Sequence, residues 1–530
     1  MNTSAGPGSG GEVHRAARGG ALSFAGAGTS ALLGFLLTVV LARLLGDTGA
    51  GVVLQVIAVF TIAFNLVKLG TDTGVLWLVP RLEGADTERL RGALVAAVAP
   101  VAAAGVIIGG GLSLGGRLLG GRGGAANAHA VAQALGVVGW LVPCGALVIV
   151  LLAAIRALGG IRQYVLLGSL GLPAARLLGV VAVGAAGGGA LAASLAWALP
   201  LPVVVVVAGA VLLARVRRAE RESTAYGSWR PEASAARRLW SFSLPRAASA
   251  MLEKSLLWFD VLLVGSMLGS AAAGVYGAAS RFVAAGLIAE TALRVVVAPR
   301  FSALLAKGRR REVQDLYGAA TTWVLLCSAP IYLVLAIFAP VVLSLLGAEF
   351  TRAAWPLAVL CAGMLVSLAA GNVQSVLLMS GRSAWQTANR VVVLGMNIAL
   401  NVALIPVMGI LGAAVAWAAS MLLDAGLAAA EVAVLVRIRP QPAAAARAIL
   451  PALVCFAGTG IPLRLFWGAS PSSLVVAAVL GALLFAAWCW ADRRSLRVDE
   501  FLSALRAKAS REPVAVEAAD SDLRQVGDRS

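Results

Sequence analysis

The chain has 530 residues, 60% of them hydrophobic and 13% charged, with a mean hydropathy of +0.89. No water-soluble fold tolerates that composition, so the sequence reads as a polytopic membrane protein. A formal net charge of +18 would suggest nucleic acid in a soluble chain; here the basic residues gather in short segments between apolar runs, the positive-inside pattern, which argues against nucleic acid.

In chain order, residues 1–20 are Gly/Ser-rich with His14, Arg15 and Arg18 and read as a disordered cytoplasmic tail. The run from Ala21 to Leu41 is long enough to span and lacks a cleavage site, so no cleavable signal is expected. Apolar runs of roughly 20 residues, the length that crosses a ~30 Å core, recur about fourteen times. Six fall in residues 21–214, the expected N-lobe, and six in residues 241–436, the expected C-lobe; two more lie in residues 437–491. Residues 215–240 form a basic linker in which Tyr226, Trp229 and Trp240 mix with arginines, which suits a tether lying partly on an anionic leaflet. Residues 492–530 read as a polar cytoplasmic tail.

Arginines fall on alternate connections: Arg81, Arg89 and Arg91, then Arg156 and Arg162, then the linker, then Arg309, Arg310 and Arg311, and later Arg437 and Arg439. That side is expected to be cytoplasmic, with both termini on it and an even number of spans in the inner membrane. The opposite connections are short apart from residues 115–129. They offer little room for the outer domain of a membrane glycosyltransferase or ligase.

A repeat is visible. Leu44-Leu45-Gly46-Asp47-Thr48-Gly49-Ala50-Gly51 follows the first span and Met267-Leu268-Gly269-Ser270-Ala271-Ala272-Ala273-Gly274 the seventh. With six spans per repeat the halves share one orientation, and a central site is expected at their interface.

Charges at membrane depth concentrate between Leu239 and Arg300. Ionisable groups in hydrocarbon cost at least a few kcal/mol and normally face a partner or a wet cavity. Folding the chain at Gly269-Ser270 puts Asp260 and Arg281 at nearly one depth and predicts a salt bridge. Glu253 and Asp260 share a face, while Lys254 lies ~100° round and looks to Glu290, which is also i, i+4 from Arg294. Structural ion pairing and a role in cation or proton coupling both stay open for these groups. In the first half Arg176 stands near mid-depth with no acid nearby in sequence, which suits an anion such as a pyrophosphate. In the second, Arg390, Asn397 and Asn401 share a helix face; Asn372, Gln374 and Ser375 precede them, and Asp424 with Glu431 lies beyond. Amides in a bundle serve as helix glue or as sugar ligands. Asp424 is a candidate proton or cation site.

The sequence has no G-x-x-x-x-G-K-[ST] loop, and its two histidines, His14 and His129, lie outside the spans. The five cysteines show no CxxC spacing and read as free thiols. Neither cofactor nor metal is expected, and the chain reads as a secondary transporter or facilitator, not an enzyme.

With these residues in view, the chain resembles the polysaccharide-transporter branch of the multidrug/oligosaccharidyl-lipid/polysaccharide (MOP) exporter superfamily. The segments that carry the likeness are Leu37 to Gly46, Gly70-Thr71-Asp72-Thr73-Gly74 through Arg81, Phe259 to Gly265 with Ala273-Gly274-Val275-Tyr276, Leu346 to Phe350, and Asn397 to Pro406 with Gly409 to Ala414. The resemblance implies an all-α fold of about fourteen helices, two six-helix lobes rocking around a central cavity, plus two peripheral C-terminal helices. It also implies a flippase for a polyprenyl-pyrophosphate-linked oligosaccharide in cell-surface polysaccharide synthesis, working beside the glycan polymerase and assembly machinery. By their depth, and not by a motif match, Arg176, Arg281 and Arg390 would correspond to the family's basic cavity, and Asn397 and Asn401 are candidate substrate ligands from their shared helix face. A multidrug antiporter coupled to cations and a lipid II flippase are the alternatives within the superfamily.

Overall fold

The computed structural model describes residues 9–82, 86–120, 126–223, 226–380, 382–439, 441–493 and Leu496, and within the helices some side chains, those of Glu253 and Lys254 among them, are outside the description. Every described element is helical. The first half contains α1 (Ser9–Val67), α2 (Thr71–Leu82), α3 (Leu90–Gly120), α4 (Ala126–Val138), α5 (Val142–Ala157), α6 (Ile161–Tyr164), α7 (Leu172–Ala185), α8 (Ala190–Ala198) and α9 (Pro200–Ser223). A seven-residue π-turn joins α6 to α7. The second half runs through α10 (Ala233–Leu268), α11 (Ser270–Ala306), α12 (Arg310–Ile337), α13 (Ala339–Ser344), α14 (Ala354–Ala369), α15 (Val373–Met379), α16 (Ser383–Met408) and α17 (Ile410–Glu431), followed by α18 (Pro442–Ala452), α19 (Gly458–Trp467) and α20 (Pro471–Ala491).

By length and apolar content, 11 of the described helices can cross a membrane, and the chain is a multi-pass membrane protein. The expected fourteen exceeds that number for two reasons. One apolar stretch, Ala25–Val67, has 43 residues, enough for two passes, and its backbone breaks at Gly46. The long helices α10 and α11 (36 and 37 residues) contain residues outside the description and are not counted whole; of them only Trp258–Leu268 enters, as a shorter apolar helix.

Other boundaries also moved. Helix α1 starts at Ser9, within the segment expected as a tail. The apolar run from Ala353 to Met379, expected as a single span, is broken between α14 and α15, where Gly371 takes φ 77. Residues 1–8 and most of the C-terminal tail lie outside the described residues.

The repeat has a structural counterpart. Gly46 (φ 66) and Gly269 (φ 89) occupy equivalent places and both adopt the left-handed backbone that glycine allows without strain. Five residues on, Gly51 and Gly274 face each other's turn. A side chain on Gly51 would lie 1.7 Å from the Ser270 carbonyl oxygen, and one on Gly274 would lie 2.0 Å from that of Asp47. Since Asp47 and Ser270 are themselves equivalent positions, the contact is a local two-fold. Gln55 reinforces it by donating to Ser270 Oγ (2.9 Å), Arg43 by donating to the Leu345 carbonyl (2.6 Å), and Arg352 by pairing with Asp47. This seam joins the two halves at the end opposite the basic segments.

At the basic end the linker is docked, not loosely tethered. Arg91 at the start of α3 pairs with Glu220 at 2.6 Å, and the carboxylate of Glu220, only 1% exposed, also accepts from the Gly227 amide (3.3 Å). Arg89 pairs with Glu232 (2.8 Å), and Arg91 lies over Trp229 at 5.0 Å. Gly92 and Gly227 let the two segments touch, since side chains there would strike the carbonyls of Arg230 and Glu88. Tyr226 remains 72% exposed. Replacing Glu220 with Ala is expected to destabilise the protein by about 3–5 kcal/mol, because it strands the Arg91 cation. Thermal unfolding of the purified protein checks this; an unchanged midpoint would show the pair to be incidental.

Candidate functional site

Between the halves lies a cavity of about 560 Å³, within the usual range for ligand sites. Its walls come from both sides: α1 supplies residues from Gly28 to Thr61, α7 Pro173 and Arg176, and α8 Trp197, while α10 supplies Trp258 and α11 Arg281, Phe282, Ala284 and Ala285. Phe35 meets Phe282 edge-on at 5.0 Å and links α1 to α11. The lining is mainly aliphatic and aromatic, with Ser30, Thr38 and Thr61 as small polar groups and no carboxylate among the described residues.

The two lining cations are seated in the same way. The Arg176 guanidinium lies over the Trp197 ring at 4.0 Å and donates from Nε to the Trp197 carbonyl (3.2 Å). The Arg281 guanidinium lies over Trp258 at 3.9 Å, and its buried Nη2 has no hydrogen-bond partner among the described residues. Trp197 itself is wedged edge-on against Phe60 (5.3 Å), which holds its ring in place. An aromatic face steadies a guanidinium without cancelling its charge, and the N–H edges stay available for a bidentate anion. Sequence placed the arginines at depth. The tryptophans gave no signal, since an indole in a membrane helix is unremarkable until its ring is seen beneath a cation.

The expected salt bridge between Asp260 and Arg281 does not form. Trp258 and Asp260 are two residues apart, so their side chains leave α10 ~200° apart; the first faces Arg281 and the second faces away. Asp260, 4% exposed, accepts instead from Asn401 Nδ2 on α16 (2.9 Å) and from the Tyr276 hydroxyl on α11 (3.3 Å). Asn401 also donates to the side-chain oxygen of Asn397 (3.2 Å). Both asparagines are fully buried, and Asn397 Nδ2 and Asn401 Oδ1 have no hydrogen-bond partner among the described residues. Asn397 and Asn401 therefore surround a buried carboxylate and do not line the cavity.

Arg390 is not at the cavity either. It faces the charge of Asp424, whose carboxylate accepts from Gln374 (2.9 Å). Asn389 donates to Glu431 at 2.8 Å in the same region. Depth alone could not separate Arg390 from the cavity pair, because depth does not say which way a helix face points. Glu290 pairs with Arg294 along α11, outside the cavity. The side chains of Glu253 and Lys254 lie outside the described residues. No group of three or more metal-ligating side chains occurs among the described residues, and the described cysteines are free.

A helical membrane fold with a cavity between two repeat-related halves is similar to the folds of solved transporters of the MOP superfamily. The match to the lipid II flippase MurJ in an inward closed conformation has TM-score 0.67 and 12% identity, covering 88% of this chain and 97% of that one. An inward-facing multidrug resistance transporter of the MATE family matches with TM-score 0.60 and 15% identity, over 75% and 92% of the two chains. A MOP superfamily transporter from Pyrococcus furiosus, described as having a binding pocket of reversed polarity, matches with TM-score 0.52 and 14% identity, over 77% and 92%.

Residues 171–355 match the family described as polysaccharide biosynthesis protein. A curated relative, the probable low-salt glycan biosynthesis flippase Agl15 of Haloferax volcanii, is 27% identical over 216 residues. That alignment takes in 40% of this chain and 45% of the relative, so the chain spans under half the length of the relative it matches.

Proposed function

We propose that this chain is a flippase that moves a polyprenyl-pyrophosphate-linked oligosaccharide across the cytoplasmic membrane by alternating access, for cell-surface polysaccharide synthesis. The observation that carries this reading is a cavity holding two cations and no described carboxylate, each cation backed by an indole ring. Arg176 and Arg281 grip the pyrophosphate, and the aliphatic and aromatic walls take the first isoprenoid units. The family match and the flippase relative support the same class of cargo. The basic end faces the cytoplasm, where the linked glycan is assembled, and the polymerase and assembly enzymes are the expected partners. Asp260, held by Asn401 and Tyr276 with Asn397 behind Asn401, serves as the coupling site for a proton or a monovalent cation. Arg390 and Asp424, away from the cavity, take no part in holding cargo.

The test is reconstitution. Proteoliposomes carrying a fluorescent undecaprenyl-pyrophosphate trisaccharide should show protein-dependent transbilayer movement, read by quenching of the outer leaflet, and the rate should follow an imposed sodium or proton gradient. Asp260→Asn should keep basal movement and lose the gradient dependence. Efflux of a cationic dye without lipid movement would sink this reading in favour of a drug antiporter.

A further inference from the structure

Helix α9 reaches the basic end with two of its sides bonded to protein and one left open. The Arg215 guanidinium turns to the connection from α5 into α6, donating to the Leu158 carbonyl and to Gln163 Oε1, each at 2.8 Å. Glu220, ~140° round the helix from Arg215, pairs with Arg91 of α3 and accepts from the Gly227 amide. The third side carries Arg217 and Arg221, one turn apart. Both are exposed, and neither makes an ion pair or a hydrogen bond among the described residues. Their neighbour Arg218 is held by Glu222 at 2.8 Å.

The open side continues the face of α9 that meets lipid. Val203, Val207, Ala210, Ala214, Arg217 and Arg221 follow one another at alternating i+4 and i+3 steps, which keeps them all within ~80° on a helix. As far as Ala214 this stripe is apolar and exposed, with Val203 at 64% and the adjacent Val206 at 71%. On a spanning helix that does not line the cavity, such exposure is contact with acyl chains. Arg217 stands ~4.5 Å beyond Ala214 along the axis and Arg221 ~6 Å further. That is the depth of the headgroup layer, about 5–7 Å thick on each side of the hydrocarbon. The side chains also shrink along the stripe, from valine to alanine, so a chain running to the two guanidiniums can lie close against the helix. Tyr226, next to the amide that docks on Glu220, is 72% exposed at the same level, an amphipathic ring of the kind that settles among headgroups.

We propose that Arg217 and Arg221 form a site for the headgroup of an anionic phospholipid whose acyl chain lies along the Val203–Ala214 stripe. Each guanidinium presents paired N–H donors to phosphate oxygens. Two cations without a protein counter-ion favour a headgroup of net negative charge over a zwitterionic one. An acidic protein would call for no alignment with a lipid-facing stripe. The site is separate from the cavity and stands whatever the cargo is.

The test uses the full-length protein in phosphatidylcholine bilayers. A fluorescent amino acid takes the place of Leu213, which borders the stripe one turn from Arg217. A small fraction of the lipid is dibrominated in its acyl chain, as phosphatidylglycerol or as phosphatidylcholine, and bromine quenches on contact. Phosphatidylglycerol should associate roughly tenfold more strongly, and Arg217→Gln with Arg221→Gln should bring the two lipids to near parity. Both arginines lack protein partners, so the double variant should elute from size exclusion as the parent does. With the fluorophore in place of Val203, on the same face in the opposite leaflet, the two lipids should quench alike. Equal quenching at 213 in the parent overturns the inference and leaves the arginines to an acidic protein. A preference that survives the double substitution, or that is as large at 203, overturns their assignment as the headgroup site.

Discussion

Arg281→Ala is expected to abolish measurable glycan translocation while leaving the protein folded in the membrane. The guanidinium has no carboxylate partner among the described residues, so its removal strands no buried counter-charge; the folded state loses only the cover on Trp258. The cargo loses one of two cations. A charge-assisted hydrogen bond contributes about 1.5–3 kcal/mol, which is roughly a tenfold to hundredfold fall in affinity. Arg281→Lys keeps the charge but not the planar fork that stacks and binds in two places, and should fall between. Arg176→Ala should behave alike and Arg390→Ala should not. The measurements are transbilayer movement in proteoliposomes and size-exclusion behaviour in detergent. Full activity of Arg281→Ala would remove this residue from the cargo site.

The second large effect is steric. Gly51→Val and Gly274→Val should each prop open the end opposite the basic segments, because even the first side-chain atom would overlap backbone at 1.7 and 2.0 Å. Overpacking a tight contact costs typically 1–3 kcal/mol, and here the neighbour is a carbonyl that cannot rotate aside, so roughly a tenfold to hundredfold population shift is a lower bound. The two substitutions should match in size, since each side of the contact is the image of the other. Thr61→Cys in the cavity wall should label faster with an impermeant maleimide from that end. Gly426→Ala, with nothing near it, is the control. Labelling equal to the parent protein's in both valine variants would mean that this seam is not a closure.

Much of the architecture could be read from the chain because lipid forces it: apolar run length sets the passes. The repeat was legible because Gly46 and Gly269 need a backbone that other residues avoid, and such positions leave a mark in sequence. The docked linker was not. Its clamp depends on Glu220 meeting Arg91 across 129 residues, and that pairing has no local signature. The site was legible by half. Arg176 and Arg281 stood out as cations at depth, but sequence paired Asp260 with Arg281 when a two-residue offset on α10 turns them apart. It also put Asn397 and Asn401 beside the cargo when they enclose a carboxylate.

The contact of Gly51 with Ser270 and of Gly274 with Asp47 offers one patch twice, each copy pressed against the other. That is how identical subunits pair about a two-fold axis. A half-length ancestor bearing this patch could have dimerised through it before any fusion joined the copies, and the knuckle of four residues would be the oldest joint in the molecule.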